Sequence, residues 1–280
     1  MPSSLSDISI ISDIASRLRT GALLPYLGPG MAELAEAGVP TTPRALAEAL
    51  GGKVALPKRA RGNCWAAAQF IESNRHRVTL DALMAQIYAT PVAPSPLHRL
   101  LAGLAPPLIV DTWYDDAMHA ALSERRDWAE IQGISRARPG EARWFRAYDA
   151  AGQPCALTSA AAVPVLLYKP HGGAVPAANF LITDADYVEV LTEIDIQTPI
   201  PDAVKQRRSE RGFLFLGCRF DDQVLRSFAR QILKYSAGPH YAVLEMAELT
   251  RNEQRLLDEL GVTVLSCPLG AFSDALRASA

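Results

Sequence analysis

The chain has 280 residues, 49% of them hydrophobic, so it can bury one large α/β core or two small ones. Charged residues make up 21% and the formal net charge is −2, which removes the electrostatic case for nucleic acid as the main partner. The four cysteines, Cys64, Cys155, Cys218 and Cys267, have neither zinc-ribbon spacing nor a disulfide framework, so no metal site is expected and a reducing compartment suits them.

Ile8, Ile11, Ile14 and Leu18 recur at helical spacing, and Gly21 is the stop signal. Asp7, Asp13, Arg17 and Arg19 interrupt that apolar pattern, so it does not read as a signal peptide. No run approaches the roughly 18 apolar residues of a membrane span, and the expectation is a soluble cytoplasmic protein. Residues 23–27 form an apolar strand, turned by Gly28-Pro29-Gly30 into a helix through about Leu34. A second helix is predicted over 43–50. Residues 51–100 read as a helical insertion, a small cap, with helices marked by Ala66, Phe70 and Ile71, by Leu80, Leu83, Met84 and Ile87, and by residues 97–104 after Pro94 and Pro96. The basic run Lys58-Arg59-Ala60-Arg61 within it reads as a solvated face.

Residues 108–112 are a buried-type strand, followed by a helix over 117–122. Trp128, Trp144, Phe145 and Tyr148 predict a hairpin within 124–160. The next strand, 163–168, ends in Lys169-Pro170-His171-Gly172-Gly173. A short strand over 180–183 precedes a helix capped by Asp184. Residues 212–217 form a strong buried strand. Asp221 or Asp222 then caps a helix whose core face is Val224, Leu225, Phe228 and Ile232. A strand over 241–244 follows, and Thr250 and Glu253 have capping-box spacing for a helix reaching Leu260. Residues 262–265 close the sheet. Apolar strands alternating with amphipathic helices predict an α/β, Rossmann-like fold: a mostly parallel sheet with helices on both faces, in a single domain over residues 1–280.

In open parallel sheets, ligands bind beyond the C-terminal strand ends. The loops there are Gly28-Pro29-Gly30, Thr112-Trp113-Tyr114-Asp115, His171-Gly172-Gly173 and Gly217-Cys218-Arg219-Phe220-Asp221. Glycines let a backbone approach a phosphate, and free amides at a helix start favour an anion. A plain tight turn explains Gly28 and Gly30 equally well, and Glu33 would repel a pyrophosphate if it pointed inward.

The ordered set of loops is more specific. Leu24-Pro25-Tyr26-Leu27-Gly28-Pro29-Gly30-Met31-Ala32 resembles the apolar strand and Gly-Ala-Gly-x-Ser loop of bacterial sirtuin-like domains. Gly38-Val39-Pro40, the 96–104 segment, 109–115, Pro170-His171-Gly172 and the 213–222 segment are similar to that family's further motifs, over roughly residues 10 to 275. The resemblance implies a dinucleotide partner, NAD or ADP-ribose, held across the four loops by Gly28, Pro29, Gly30, Met31, Ala32, Thr112, Trp113, Gly217, Cys218 and Arg219. It implies His171 as general base and Asp115 as the ribose ligand of an NAD-cleaving enzyme. It leaves homo-oligomerisation open.

The sequence also departs from the family. Trp113 stands at the family's asparagine, and an indole offers one donor and no carbonyl. Ala32 replaces the loop serine, and the zinc ribbon of lysine deacylases is missing, which argues against deacylation. Trp113 is open to three readings: core packing, stacking on a ligand ring, or filling the nicotinamide pocket. The alternative function is therefore an inactive nucleotide sensor or assembly protein. His171 can equally cap a strand end, Asp115 and Asp116 can be helix caps, Cys218 can be a packing residue and Arg219 a surface one.

Overall fold

Each strand is a short apolar run whose alternate residues feed opposite faces of one sheet. The computed structural model describes residues 5–35, 38–137, 141–193 and 200–279. Helix α1 (Leu5–Arg19) leads into strand β1 (Leu23–Leu27). The helix expected next is a 3-10 segment, Pro29–Ala35, because the Met31 amide bonds back only three residues to the Gly28 carbonyl. Helices α2 (Pro43–Lys53), α3 (Cys64–Arg75), α4 (Arg77–Ile87) and α5 (Pro96–Leu104) then stand between β1 and β2 (Leu108–Asp111). Helix α6 (Ala117–Leu122) is followed by β3 (Trp128–Gly133), β4 (Phe145–Asp149) and β5 (Pro154–Cys155). Next come α7 (Leu157–Ala162) and β6 (Val165–Lys169), then a two-stranded ribbon, β7 (Gly172–Gly173) with β8 (Asn179–Phe180). The chain ends with α8 (Asp184–Glu193), α9 (Asp202–Arg208), β9 (Gly212–Leu216), α10 (Gln223–Leu233), β10 (His240–Val243), α11 (Arg251–Glu259), β11 (Val262–Leu265) and α12 (Leu269–Ser279).

The main sheet has nine strands in the order β11-β10-β9-β1-β2-β6-β3-β4-β5. All neighbours from β11 to β3 are parallel, and only the β3–β4 and β4–β5 pairs are antiparallel. The expected Rossmann-like sheet is therefore present. The predicted hairpin is β3–β4, and its first strand also pairs in parallel with β6. Leu24, Tyr26, Val110, Phe213 and Phe215 face a core under α9, α10 and α11. Leu23, Leu27, Ile109, Leu214 and Leu216 face the opposite core, under α1, α5, α6 and α12. Each fully buried Leu, Ile or Phe contributes about 1.5–3 kcal/mol by leaving water. A third cluster joins α2, α3 and α4 to Trp113, Tyr114, Phe180 and Tyr187 over the C-terminal edge of the sheet.

Helices α7, α9 and α12 have no counterpart in the sequence expectations. Helix α9 is short and owes its place to tertiary anchors. The Arg207 guanidinium donates to the carbonyls of Pro107, Ala161, Val163 and Pro164, and Arg208 donates to those of Gln231 and Ile232. Helix α8 begins at Asp184, but its cap is Thr183: the Thr183 hydroxyl accepts from the Asp186 amide at 3.1 Å, and the Asp186 carboxylate accepts from the Thr183 amide at 3.1 Å. The strand expected over 180–183 is shorter, ending at Phe180 where β8 leaves the ribbon.

Candidate functional site

The strand order reverses beside β1. The chain passes from β1 outward to β2, then returns through β9 on the other side. Such a switch point opens a crevice at the C-terminal strand ends. Here the loops after β1 and β9 interlock. The Gly28 amide donates to the Leu216 carbonyl and the Gly30 amide to the Gly217 carbonyl, both at 2.9 Å. A Cβ on Gly28 would stand 2.5 Å from the Gly217 oxygen. Gly217 has φ +63°, and a Cβ there would meet the Met31 amide nitrogen. The glycines thus permit two backbones to approach each other. The Gly28 and Gly30 amides, expected to face a phosphate, are engaged by protein carbonyls.

A cavity of about 580 Å³ lies above this junction, within the ordinary size range of small-molecule sites. Its wall includes Pro29, Gly30, Gly217, Cys218 and Arg219. Three helix N-termini also border it. Thr42 caps α2 by accepting from the Ala45 amide at 3.1 Å, Asn63 caps α3 through the Ala66 amide at 2.9 Å, and Asp222 caps α10 through the Val224 amide at 2.7 Å. The first amides of a helix lack intrahelical acceptors and carry the positive end of its dipole. Glu33, Asp221, Glu245 and Glu248 add negative charge, and Trp65, Leu225, Leu244 and Leu249 add apolar surface. Arg219 is already committed: it forms a bidentate pair with buried Glu253 at 2.9 and 3.0 Å and reaches the Glu248 carbonyl at 2.8 Å. That pair, with the Phe220 amide, ties the β9 loop to the start of α11, where the Thr250–Glu253 capping box forms as the spacing indicated.

The ends of β2 and β6 are different. Among the described residues, none lining the cavity comes from 108–116 or 169–173. The Thr112 hydroxyl and amide donate to the Leu27 carbonyl at 2.8 and 2.9 Å. The Trp113 indole is buried, donates to the Pro40 carbonyl at 2.7 Å, and packs 5.1 Å from the Tyr114 ring and 6.5 Å from Tyr88. The Tyr114 hydroxyl donates to the Leu181 carbonyl at 2.7 Å. Asp115 is buried and accepts from the Ala117 amide, the first of α6, at 2.9 Å; the residue at the N-cap position is Asp116. His171 is buried between the rings of Tyr187, at 5.3 Å, and Phe228, at 5.0 Å. Its Nε2 has no hydrogen-bond partner. Burial, with Lys169 nearby, holds its pKa down at about 3, so the imidazole is neutral.

Beneath these residues runs a buried polar chain. Lys169 Nζ lies 2.5 Å from the Asp111 carboxylate and donates to the Asp115 carbonyl at 3.0 Å. Burial pulls the Lys169 ammonium down, but Asp111, Asp115 and Glu130 outweigh it and keep the group charged. Burial raises the Asp115 carboxyl, and neighbouring Asp111 adds to the rise. Met31, Ala32 and Cys218 are buried, and burial pushes the Cys218 thiol up, away from a reactive thiolate. The loops after β1 and β9 therefore share one cavity, whereas Trp113, Asp115 and His171 sit behind an aromatic wall. The cavity-facing caps Thr42 and Asn63 lie outside the four loops singled out from sequence. The Thr42-Pro43 pair, an N-cap before a proline at the first helical position, was the legible signal.

A model of the SIR2-like domain family matches residues 107–265, more than half of the chain. No curated protein matches the sequence.

Proposed function

The chain belongs to the SIR2-like domain family, and on that premise we propose that its cavity binds NAD or ADP-ribose. The observation that carries the proposal is the cavity at the switch point, bordered by the N-termini of α2, α3 and α10. Those helix starts suit a pyrophosphate, in place of the engaged amides of Gly28 and Gly30. Carboxylates such as Glu33 and Glu245 suit ribose hydroxyls, which donate to them. Trp65 and Leu225 give an apolar wall for a base. Pro29, Gly30, Gly217 and Cys218 are the remaining proposed contacts. Ligand-dependent melting of the purified protein tests the reading. At a hundredfold excess over Kd, binding adds about 2.7 kcal/mol of stability. Equal melting temperatures with NAD, ADP-ribose and no ligand would sink the proposal.

One observation favours a second reading, cleavage of NAD to nicotinamide and ADP-ribose. The unpartnered Nε2 of neutral His171 is an available proton acceptor, and Asp115 follows β2, the strand paired beside the β6 strand that leads to His171. This reading requires the aromatic wall to open. Nicotinamide release that is abolished in His171→Ala supports it; absence of release under saturating NAD excludes it and leaves the binding proposal standing. Among the described residues no helix is long and apolar enough to cross a membrane.

A further inference from the structure

We infer that the ligand of this cleft is a nucleotide without a second base, of the ADP-ribose class, and that Trp113 excludes the nicotinamide of NAD. The inference rests on the nucleotide reading above and narrows its substrate class. A dinucleotide in an open sheet lies across the switch point, with one nucleoside on each side. The cavity here serves one side. It covers the ends of β1, β9 and β10, with Trp65 and Leu225 among its lining and no residue from the loops after β2 and β6. Over the ends of β2 and β6 the space is filled by packed side chains.

The filling is built. Trp113 is 4% exposed and Tyr114 2%, with their rings 5.1 Å apart. Tyr114 continues the packing to Phe180 at 5.9 Å and to Tyr88 at 5.7 Å. Two polar anchors fix the block: the Trp113 indole on the Pro40 carbonyl and the Tyr114 hydroxyl on the Leu181 carbonyl, each at 2.7 Å. Pro40 adjoins Thr41 and Thr42 on the cavity wall, so the indole is anchored directly behind that part of the wall. A nicotinamide ring would have to displace the indole, break the bond to Pro40 and leave that carbonyl unpaired. The ribose end of ADP-ribose carries hydroxyls in place of a base, and it meets polar groups on the open side.

Calorimetric titration of the 280-residue chain with ADP-ribose and with NAD tests this. The expected result is ADP-ribose binding at least about tenfold more tightly than NAD, the scale of an overpacked site. In competition, ADP should displace ADP-ribose and nicotinamide mononucleotide should not. NAD binding as tightly as ADP-ribose, or displacement by nicotinamide mononucleotide, overturns the inference and leaves the nucleotide reading intact. Binding of neither ADP-ribose nor NAD overturns that reading itself. Trp113→Ala should bring NAD to within about threefold of ADP-ribose. A folded Trp113→Ala protein that keeps the full deficit for NAD refutes the assigned role of the indole. If that variant unfolds, the competition with unmodified protein still decides.

Discussion

The two halves of the strand-end crevice are solvated in opposite ways. Over β1, β9 and β10 there is ligand-sized space, lined by helix caps and carboxylates. Over β2 and β6 there is packed aromatic surface above buried charge. On the packed side His171 is held at about 3, His98 at about 4, and the Asp115 carboxyl is raised. Strongly shifted pKa values often mark a catalytic site. In this chain they mark dehydration, and the space for a ligand is next door. A perturbed histidine and a place for a substrate are separate requirements, and only one of them is met on each side.

Four measurements would break or sharpen that contrast. The largest effect is expected from Lys169→Met, which leaves Asp111 charged and buried without its partner. The loss should be about 3–5 kcal/mol in denaturant unfolding, and an unchanged midpoint would show that this pair does not hold the packed half together. Gly217→Ala acts at the boundary. Positive φ and the collision with the Gly30–Met31 backbone should cost about 2–4 kcal/mol, with loss of nucleotide binding. A stable Gly217→Ala protein would mean that the two loops can separate. On the open side, Glu253→Gln breaks the bidentate grip on Arg219 and should cost about 1.5–3 kcal/mol, with nucleotide affinity weakened as the β9 loop loosens. Unaltered affinity would detach Arg219 from the ligand site.

The fourth measurement is pH dependence. His98 is buried, and burial, opposed by Asp115 and aided by Lys169 and Arg99, lowers its pKa to about 4. Its Nδ1 accepts from the Ser95 amide at 3.2 Å, which requires an unprotonated Nδ1. Below about pH 6.5 the unfolded chain takes up protons that His98 and His171 refuse in the fold. Their stabilisation is therefore complete above about pH 6.5 and lost as pH falls toward their folded values, at up to about 1.4 kcal/mol per pH unit for each histidine. Melting temperature should fall between pH 7 and pH 5, and His98→Asn should flatten that fall. Glu253, held down at about 2 despite its burial by Arg219 and the Thr250 and Phe220 amides, adds acid sensitivity only below about pH 4.5. A flat profile from pH 7 to pH 5 would show that water reaches both imidazoles.

Much of the fold was legible because its signals are local. The continuous apolar runs Leu23 to Leu27 and Phe213 to Leu216 mark strands covered on both faces, and the structure buries both of their faces. The Thr250–Glu253 box and the Asp222 cap act within one helical turn, and both form. The order of those signals was enough to indicate a Rossmann-like sheet and the sirtuin-like family. Helix α9 was not legible, because the carbonyls that hold Arg207 and Arg208 come from distant segments. Nor was the partner of the glycine loop: Gly28 looks the same whether its neighbour is a phosphate or the Gly217 carbonyl. The identity of Trp113 showed only that an indole stands at a strand end. Its burial depends on Pro40, Tyr88 and Tyr114, and the neutrality of His171 depends on α8 and α10. The sequence by itself thus determined the sheet, its burial on both faces and which residues stand at its strand ends. Tertiary structure alone decided which of them meet water, because hydration is a property of everything that folds over a residue and not of its neighbours in the chain.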